Sequence, residues 1–373
     1  MSAIKETVLS DILALPAPSK YVTVKFCVPS SRYSAMSTPS VIDLRSREIG
    51  GVKIPSPGFG GMSLSNIYGA ANDEESKDLL RHAIKLGLTF WDSADIYGNG
   101  HNEELIGSVL AEEDNRSKVF LATKFGHELD PVTRQSSGKI RGDAAYIRQS
   151  IEASIKRLGT TPDLYYQHRV DPNVSLEETY GTLEELRKEG KIKFIGISEP
   201  SAETLRKAAK IAKIDALQIE YSPWTTDIEK NGILQTAREL GIPVVAYSPL
   251  GRGFLTGRFK SPEELDPNDR RRIHPRFSQE NFIKNLRIVE KLESIASKKK
   301  ITPAQLALAW VAAQGTDIIP IPGTKSISRL EENWASRDVI FSPEELKELR
   351  EVIDGFTTSG ERYPEQMLKH IGK

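Results

Sequence analysis

The sequence predicts an α/β fold, a (β/α)8 TIM barrel with an N-terminal hairpin and long loops at the C-terminal rim. Three observations predict it. Eight short β-rich runs follow one another between Pro57 and Gly323. Helix-patterned segments separate them, and strict alternation makes the strands parallel, because each crossover returns the chain to the same edge. The first run leads into GFGGMSLSN rather than the GxGxxG turn expected of a doubly wound sheet, the competing arrangement.

The runs are PGFGGM (57–62), LTFWDSA (88–94), KVFLATK (118–124), DLYYQHR (163–169), KFIGIS (193–198), ALQIEY (216–221), IPVVAYS (242–248) and DIIPIPG (317–323). Eight strand–helix units in about 270 residues match the usual size of such a barrel. REIGGVKIPSPG (47–58), ahead of the first run, reads as a hairpin covering the barrel floor.

Among the intervening segments, 73–87 places Leu79, Leu80, Ala83, Ile84 and Leu86 on one face and stops at Gly87. Ile147, Ile151, Ile155 and Leu158 are spaced three or four apart in 144–159. Ser175 followed by Glu178 forms a capping-box pattern for 175–190, and 201–213 opens in a similar way from Ser201. TARELG and KNLRIVEKLESIASKKK continue the alternation, and 302–315 carries Pro303 in a first helical turn.

The 373 residues suit one large domain or two medium ones, and the apolar share of 38% supplies a sizeable core. Lys plus Arg and Asp plus Glu balance at 51 each, which argues against nucleic acid as a partner. The basic cluster NDRRRIHPR (268–276) reads as a solvated loop. Cys27 is the only cysteine and the six histidines show no ligand spacing, so neither a disulfide nor a metal is expected. No apolar run approaches the roughly 18 residues of a membrane span. Residues 1–44 read as a flexible extension, and 45–373 as a single barrel domain in a cytoplasmic protein, monomeric or homo-oligomeric.

In a barrel of this kind, chemistry collects at the C-terminal ends of the strands. Asp92 and Tyr97 follow the second run, Lys124 ends the third and His168 the fourth. Each alone reads as a turn acid, a packed aromatic, an edge charge or a core histidine. Together they converge on one rim. A tyrosine titrates near pH 10 and is a slow proton donor unless a neighbouring cation stabilises the phenolate. Lys124 supplies that cation, Asp92 its counter-charge, and His168 a hydrogen bond for an incoming oxygen. The result is a proton donor aimed at a carbonyl, which needs a hydride from a nicotinamide.

FWDSADIYGNGHNEELIG, LATKFG, DLYYQHRVDP, KFIGISEPS, QIEYSPW, VVAYSPLGRGFLTG and IPIPGTKSISRLEENWAS resemble, in order, the motifs of the aldo-keto reductase superfamily. The likeness runs from about Ser46 to Phe356 and is nearest to the aldehyde reductases related to pyridoxal and perakine reductases. It implies a barrel that binds NADPH in extended form. Tyr97 would be the general acid, with Lys124 and Asp92 lowering its pKa and His168 orienting the carbonyl. Ser198 and Gln218 would bind the carboxamide, while Glu199 stands where the family usually has Asn. Tyr247 would stack on the nicotinamide, and Gly61 and Met62 join the cofactor set. Ser248, Leu250, Gly251 and Gly253 would meet the pyrophosphate. Gly323 joins the cofactor set, Thr324, Lys325 and Arg329 would hold the adenosine 2′-phosphate, and Glu332 and Asn333 would meet the adenine.

The connection from Arg252 to Asn281 exceeds ordinary loop length and is expected to fold over the cofactor. Pocket walls are expected from 63–69, 125–142, Arg169–Asp171 and 222–227, with Tyr68, Trp224 and Met62 suiting aromatic or medium-chain aldehydes. The small-molecule carbonyl reductase has two rivals. One is a cofactor-sensing interaction subunit of the potassium-channel β type. The other is an isomerase or aldolase using Lys124 as a Schiff base, which Asp92 opposes because that lysine would have to be neutral.

Overall fold

The computed structural model describes residues 43–373. Expectations for positions 1–42 lie outside the described residues. Eight parallel strands form one sheet in chain order: β1 (Phe59–Gly60), β2 (Phe90–Asp92), β3 (Phe120–Phe125), β4 (Leu164–Gln167), β5 (Phe194–Ser198), β6 (Ala216–Glu220), β7 (Val244–Tyr247) and β8 (Ile318–Pro320). The sheet closes on itself. Gly58 N–H donates to the Pro320 carbonyl at 3.0 Å and Gly60 N–H to the Pro322 carbonyl at 3.1 Å. Closure leaves no edge in the barrel sheet, and each of the eight predicted runs overlaps a barrel strand.

The two-residue period decides what faces inward. Along β3, Leu121 and Phe125 join the clusters packed under the helices, while Ala122 joins the interior with Phe90, Leu164 and Val245. Lys124 therefore points inward, as does Asp92 two positions after Phe90. Around the barrel lie α1 (Asp73–Leu86), α2 (His101–Leu110), α3 (Ala144–Leu158), α4 (Leu176–Lys188), α5 (Ala202–Ile211), α6 (Ile233–Glu239), α7 (Gln279–Lys299), α8 (Pro303–Ala312), α9 (Ile327–Ala335) and α10 (Pro343–Asp354).

Helix ends follow their local chemistry. Asn72 accepts from the amides of Glu74 and Glu75 ahead of α1, whose end at Gly87 takes φ 81°. Thr302 and Gln305 form a reciprocal capping box on α8. The box expected at Ser175 is only half made. Ser175 accepts from Glu178 N–H, but the Glu178 carboxylate turns away to cap Ala144 N–H at 3.0 Å.

The hairpin Ser46–Ile49 and Val52–Pro55 covers the floor, as expected. Its Ile49 and Ile54 complete the interior cluster. Its Arg47, only 4% exposed, donates to the carbonyls of Ile318 and Ala312 at 2.9 and 2.8 Å. That satisfies a buried cation with backbone oxygens at the N-terminal end of β8. A second hairpin, His127–Leu129 with Ser136–Ile140, stands on the rim where the sequence predicts only a loop.

At the seam, a Cβ on Gly323 would lie 2.6 Å from the Gly60 carbonyl oxygen, backbone against backbone with no side chain to yield. Gly323→Ala should therefore destabilise the fold by about 1–3 kcal/mol, read as a lower urea midpoint at unchanged m-value.

Candidate active site

The inward side chains at the C-terminal ends of β2 and β3 meet at the barrel mouth. Lys124 Nζ lies 2.5 Å from Asp92 Oδ1 and 2.6 Å from the Ser93 carbonyl, with the lysine fully buried. Gln218, from β6, donates to the other Asp92 oxygen at 2.7 Å. Tyr97 arrives from the turn behind β2, where Gly98, Asn99 and Gly100 take φ values of 58°, 54° and 94°. That left-handed run turns the chain from the tyrosine into α2. The Tyr97 hydroxyl lies 3.5 Å from Lys124 Nζ. The His168 ring meets the Tyr97 ring edge-on at 5.9 Å between centroids. The four side chains expected to converge do so.

Their electrostatics correct one expectation. Burial pushes the Asp92 carboxyl up and the Lys124 ammonium down, and each partner's charge opposes the other's shift. Burial first, and the Asp92 charge second, hold the Tyr97 phenol above its ordinary value. Asp92 therefore does not lower the tyrosine directly. It instead favours the charged form of Lys124, whose Nζ lies 3.5 Å from the Tyr97 hydroxyl. Arg169 favours the phenolate. Burial also drives His168 well below its usual range, so the ring is neutral, and its buried Nδ1 has no hydrogen-bond partner.

From Tyr97 a cavity of about 380 Å³ runs past Tyr247 to the start of α9. Of the expected cofactor residues, Met62, Gln218, Tyr247, Ser248, Leu250, Gly253, Gly323, Thr324, Lys325, Arg329, Glu332 and Asn333 line it. Gly61, Ser198 and Gly251 do not. Gly61 packs on Asn102 and the Asp92 backbone, and Gly251 lies against the Trp224 ring. Ser198 is buried, its Oγ 3.4 Å from Arg169 Nη1. Gln218, expected on a carboxamide, spends its amide N–H on Asp92. Lys325 is also engaged, donating to the carbonyls of Tyr68, Gly69 and Ala70 at 2.8–2.9 Å. Arg258, which the sequence reading missed, joins Arg329 along the cavity, and neither has a carboxylate within ion-pair distance among the described residues.

The connection after β7 crosses this cavity. Arg270 N–H donates to the Ile67 carbonyl at 3.3 Å, and Arg271 lies over the Tyr68 ring. Trp224, expected in the pocket wall, is instead stacked on Phe254 at 4.3 Å and anchors this connection. Nor is NDRRRIHPR wholly solvated: Arg271, His274 and Arg276 are buried, with Arg271 paired to Asp269 at 2.6 Å.

Glu199 has a role the sequence did not reveal. Held at φ 53°, it accepts from the Tyr247 hydroxyl at 2.7 Å and from Arg362 at 3.0 Å. Glu220 beside it faces Arg252 at 3.2 Å, and Tyr363 meets the Tyr247 hydroxyl at 3.1 Å. A C-terminal segment thus reaches back to brace Tyr247.

Residues 58–354 match the model of the aldo/keto reductase family. The chain belongs to that family. The NADP(+) aldo-keto reductase yakc of Schizosaccharomyces pombe is 45% identical over 87% of this chain and 95% of its own. The aldo-keto reductase str7 of Strobilurus tenacellus is 46% identical over 86% and 95%. The glycerol dehydrogenase of Gluconobacter oxydans superposes with a TM-score of 0.77 at 26% identity, covering 86% of this chain and 98% of that one. This aldo-keto reductase is an NADP-dependent oxidoreductase acting on carbonyl compounds. The cavity fits the cofactor: aromatic Tyr247 borders its inner end, and the unpaired guanidinium groups of Arg258 and Arg329 border its outer end, matching a phosphate-rich ligand.

Because the Asp92–Lys124 pair is almost wholly buried, Lys124→Met should strand a buried carboxylate and cost about 3–5 kcal/mol. Asp92→Asn combined with Lys124→Met should recover most of that loss in chemical denaturation.

Proposed function

We propose that this reductase converts aldehydes to alcohols, with the proton delivered by Tyr97. The observation that carries the reading is the Tyr97 hydroxyl 3.5 Å from the Lys124 ammonium, which Asp92 pairs at 2.5 Å. NADPH supplies the hydride when bound. The carbonyl oxygen sits between the Tyr97 hydroxyl and the neutral His168 ring, which together fix its orientation. As negative charge grows on that oxygen, Tyr97 gives up its proton, and Lys124 and Arg169 stabilise the phenolate left behind. Solvent then returns the proton to Tyr97.

Tyr247, braced through its hydroxyl by Glu199, presents a ring face for the nicotinamide. Arg329 and Arg258 take the 2′-phosphate, while Lys325 shapes the site by holding the 68–70 carbonyls. The connection that reaches Ile67 and Tyr68 closes over the dinucleotide.

Tyr97→Phe should lower aldehyde turnover by about 10²–10⁴-fold while NADPH still binds, followed by cofactor fluorescence. Undiminished turnover would remove Tyr97 from the proton step. The pH profile follows from three shifts. His168, lowered, stays neutral as pH falls, and Tyr97, raised, stays protonated as pH rises. The kcat for reduction at saturating NADPH should therefore stay level down to about pH 6 and fall on the alkaline side, where Lys124, lowered by burial, loses the charge that serves Tyr97.

A further inference from the structure

The cations around Tyr97 find partners one after another. Lys124 faces Asp92, Arg362 faces Glu199, Arg252 faces Glu220 and Arg271 faces Asp269. Arg276 donates to the Thr225 hydroxyl and the Gly360 carbonyl beside the Trp224 ring. Arg169 is different. Its Nη1 donates to the His168 carbonyl at 2.6 Å and lies 3.4 Å from Ser198 Oγ. Among the described residues no carboxylate comes within ion-pair distance of it, and Nε and Nη2 have no hydrogen-bond partner.

Those two nitrogens form one side of the guanidinium fork, the side that takes a planar carboxylate through parallel N–H···O bonds. The Nη1 bond ties the fork to the backbone of His168, whose ring touches Tyr97. Neither neighbouring histidine can share the task. Burial pushes His127 down to about 3 and leaves His168 neutral. The charge of Arg169 is felt at Tyr97, which borders the cavity, while Tyr247 and the more distant Glu199 carboxylate favour the charged guanidinium.

We propose that Arg169 binds an anionic group of the substrate, and that this reductase selects aldehydes carrying a carboxylate next to the carbonyl-bearing carbon or ortho to it. A single guanidinium with one open side suits a monoanion, which favours a carboxylate over a phosphate ester. The inference rests on the aldehyde-reduction reading and narrows its substrate class.

The test uses matched pairs, benzaldehyde with 2-carboxybenzaldehyde and acetaldehyde with glyoxylate, for wild type, Arg169→Lys and Arg169→Met. The wild type should favour the carboxylate member by about ten- to a hundredfold in kcat/KM, mainly through KM. The preference should shrink with added salt. Arg169→Met should erase it, and Arg169→Lys should keep part of it. Benzoate should compete with aldehyde in the wild type, whereas benzamide should not.

Wild type that reduces the neutral aldehydes without favouring the carboxylates would overturn this inference and leave the reductase reading standing. So would an equal loss for both members in Arg169→Met, which would mean a role through His168 and Tyr97 alone. A stronger preference for glyceraldehyde 3-phosphate over glyceraldehyde than for the carboxylate pairs would overturn the carboxylate assignment. Failure with every aldehyde would remove the reading beneath it as well.

Discussion

One buried ion pair organises the barrel mouth. Lys124 and Asp92 face each other across neighbouring strands with almost no exposure, where removing both charges from water costs several kcal/mol per ion. The structure offsets that cost with the Ser93 carbonyl and the Gln218 amide, so that each charge has a second partner. An ammonium held this way cannot swing toward solvent. Tyr97 therefore has a fixed cation beside its hydroxyl, and the turn of left-handed residues after it fixes the ring in turn. The arrangement also opposes a Schiff base at Lys124, because a carboxylate at 2.5 Å favours the protonated amine.

Most of the barrel was legible because its signals are local and periodic. Each apolar run is short, each crossover carries a 3.6-residue face, and glycine or a cap marks many of the ends. The four mouth residues were legible for a related reason: strand ends can be located from sequence, and strand ends are where side chains converge. Direction within the mouth was not legible. Lys325 is a cation at the expected position, yet its ammonium turns onto three carbonyls of the 68–70 loop. Trp224 looks like a pocket aromatic and is a packing anchor. Sequence spacing does not say which neighbour a flexible or amphipathic side chain will choose.

Other features were hidden by weak patterning. The helix α2 begins straight after Gly98, Asn99 and Gly100, residues that read as loop, so its start carried no usual N-cap. The rim hairpin contains SSGKI, which lacks an apolar alternation. The bracing of Tyr247 by Arg362 and Tyr363 joins residues more than a hundred positions apart through charge and hydroxyl contacts. No period or motif announces such a contact. Its consequence at the site is definite, since Glu199 is occupied by Tyr247 and Arg362.

The way the sheet is sealed bears on how the protein is made. Arg47 bonds to the Ile318 carbonyl, a partner 271 positions later, and the first and last strands meet in the same region. A ribosome-bound chain that has emerged only through β7 lacks both the partner for its first strand and the final stave of its wall. It presents two raw sheet edges and an unfinished apolar interior, the kind of surface that chaperones shield. Commitment to the native topology waits until β8 has emerged, so productive folding of this enzyme cannot be completed by its earlier strands alone.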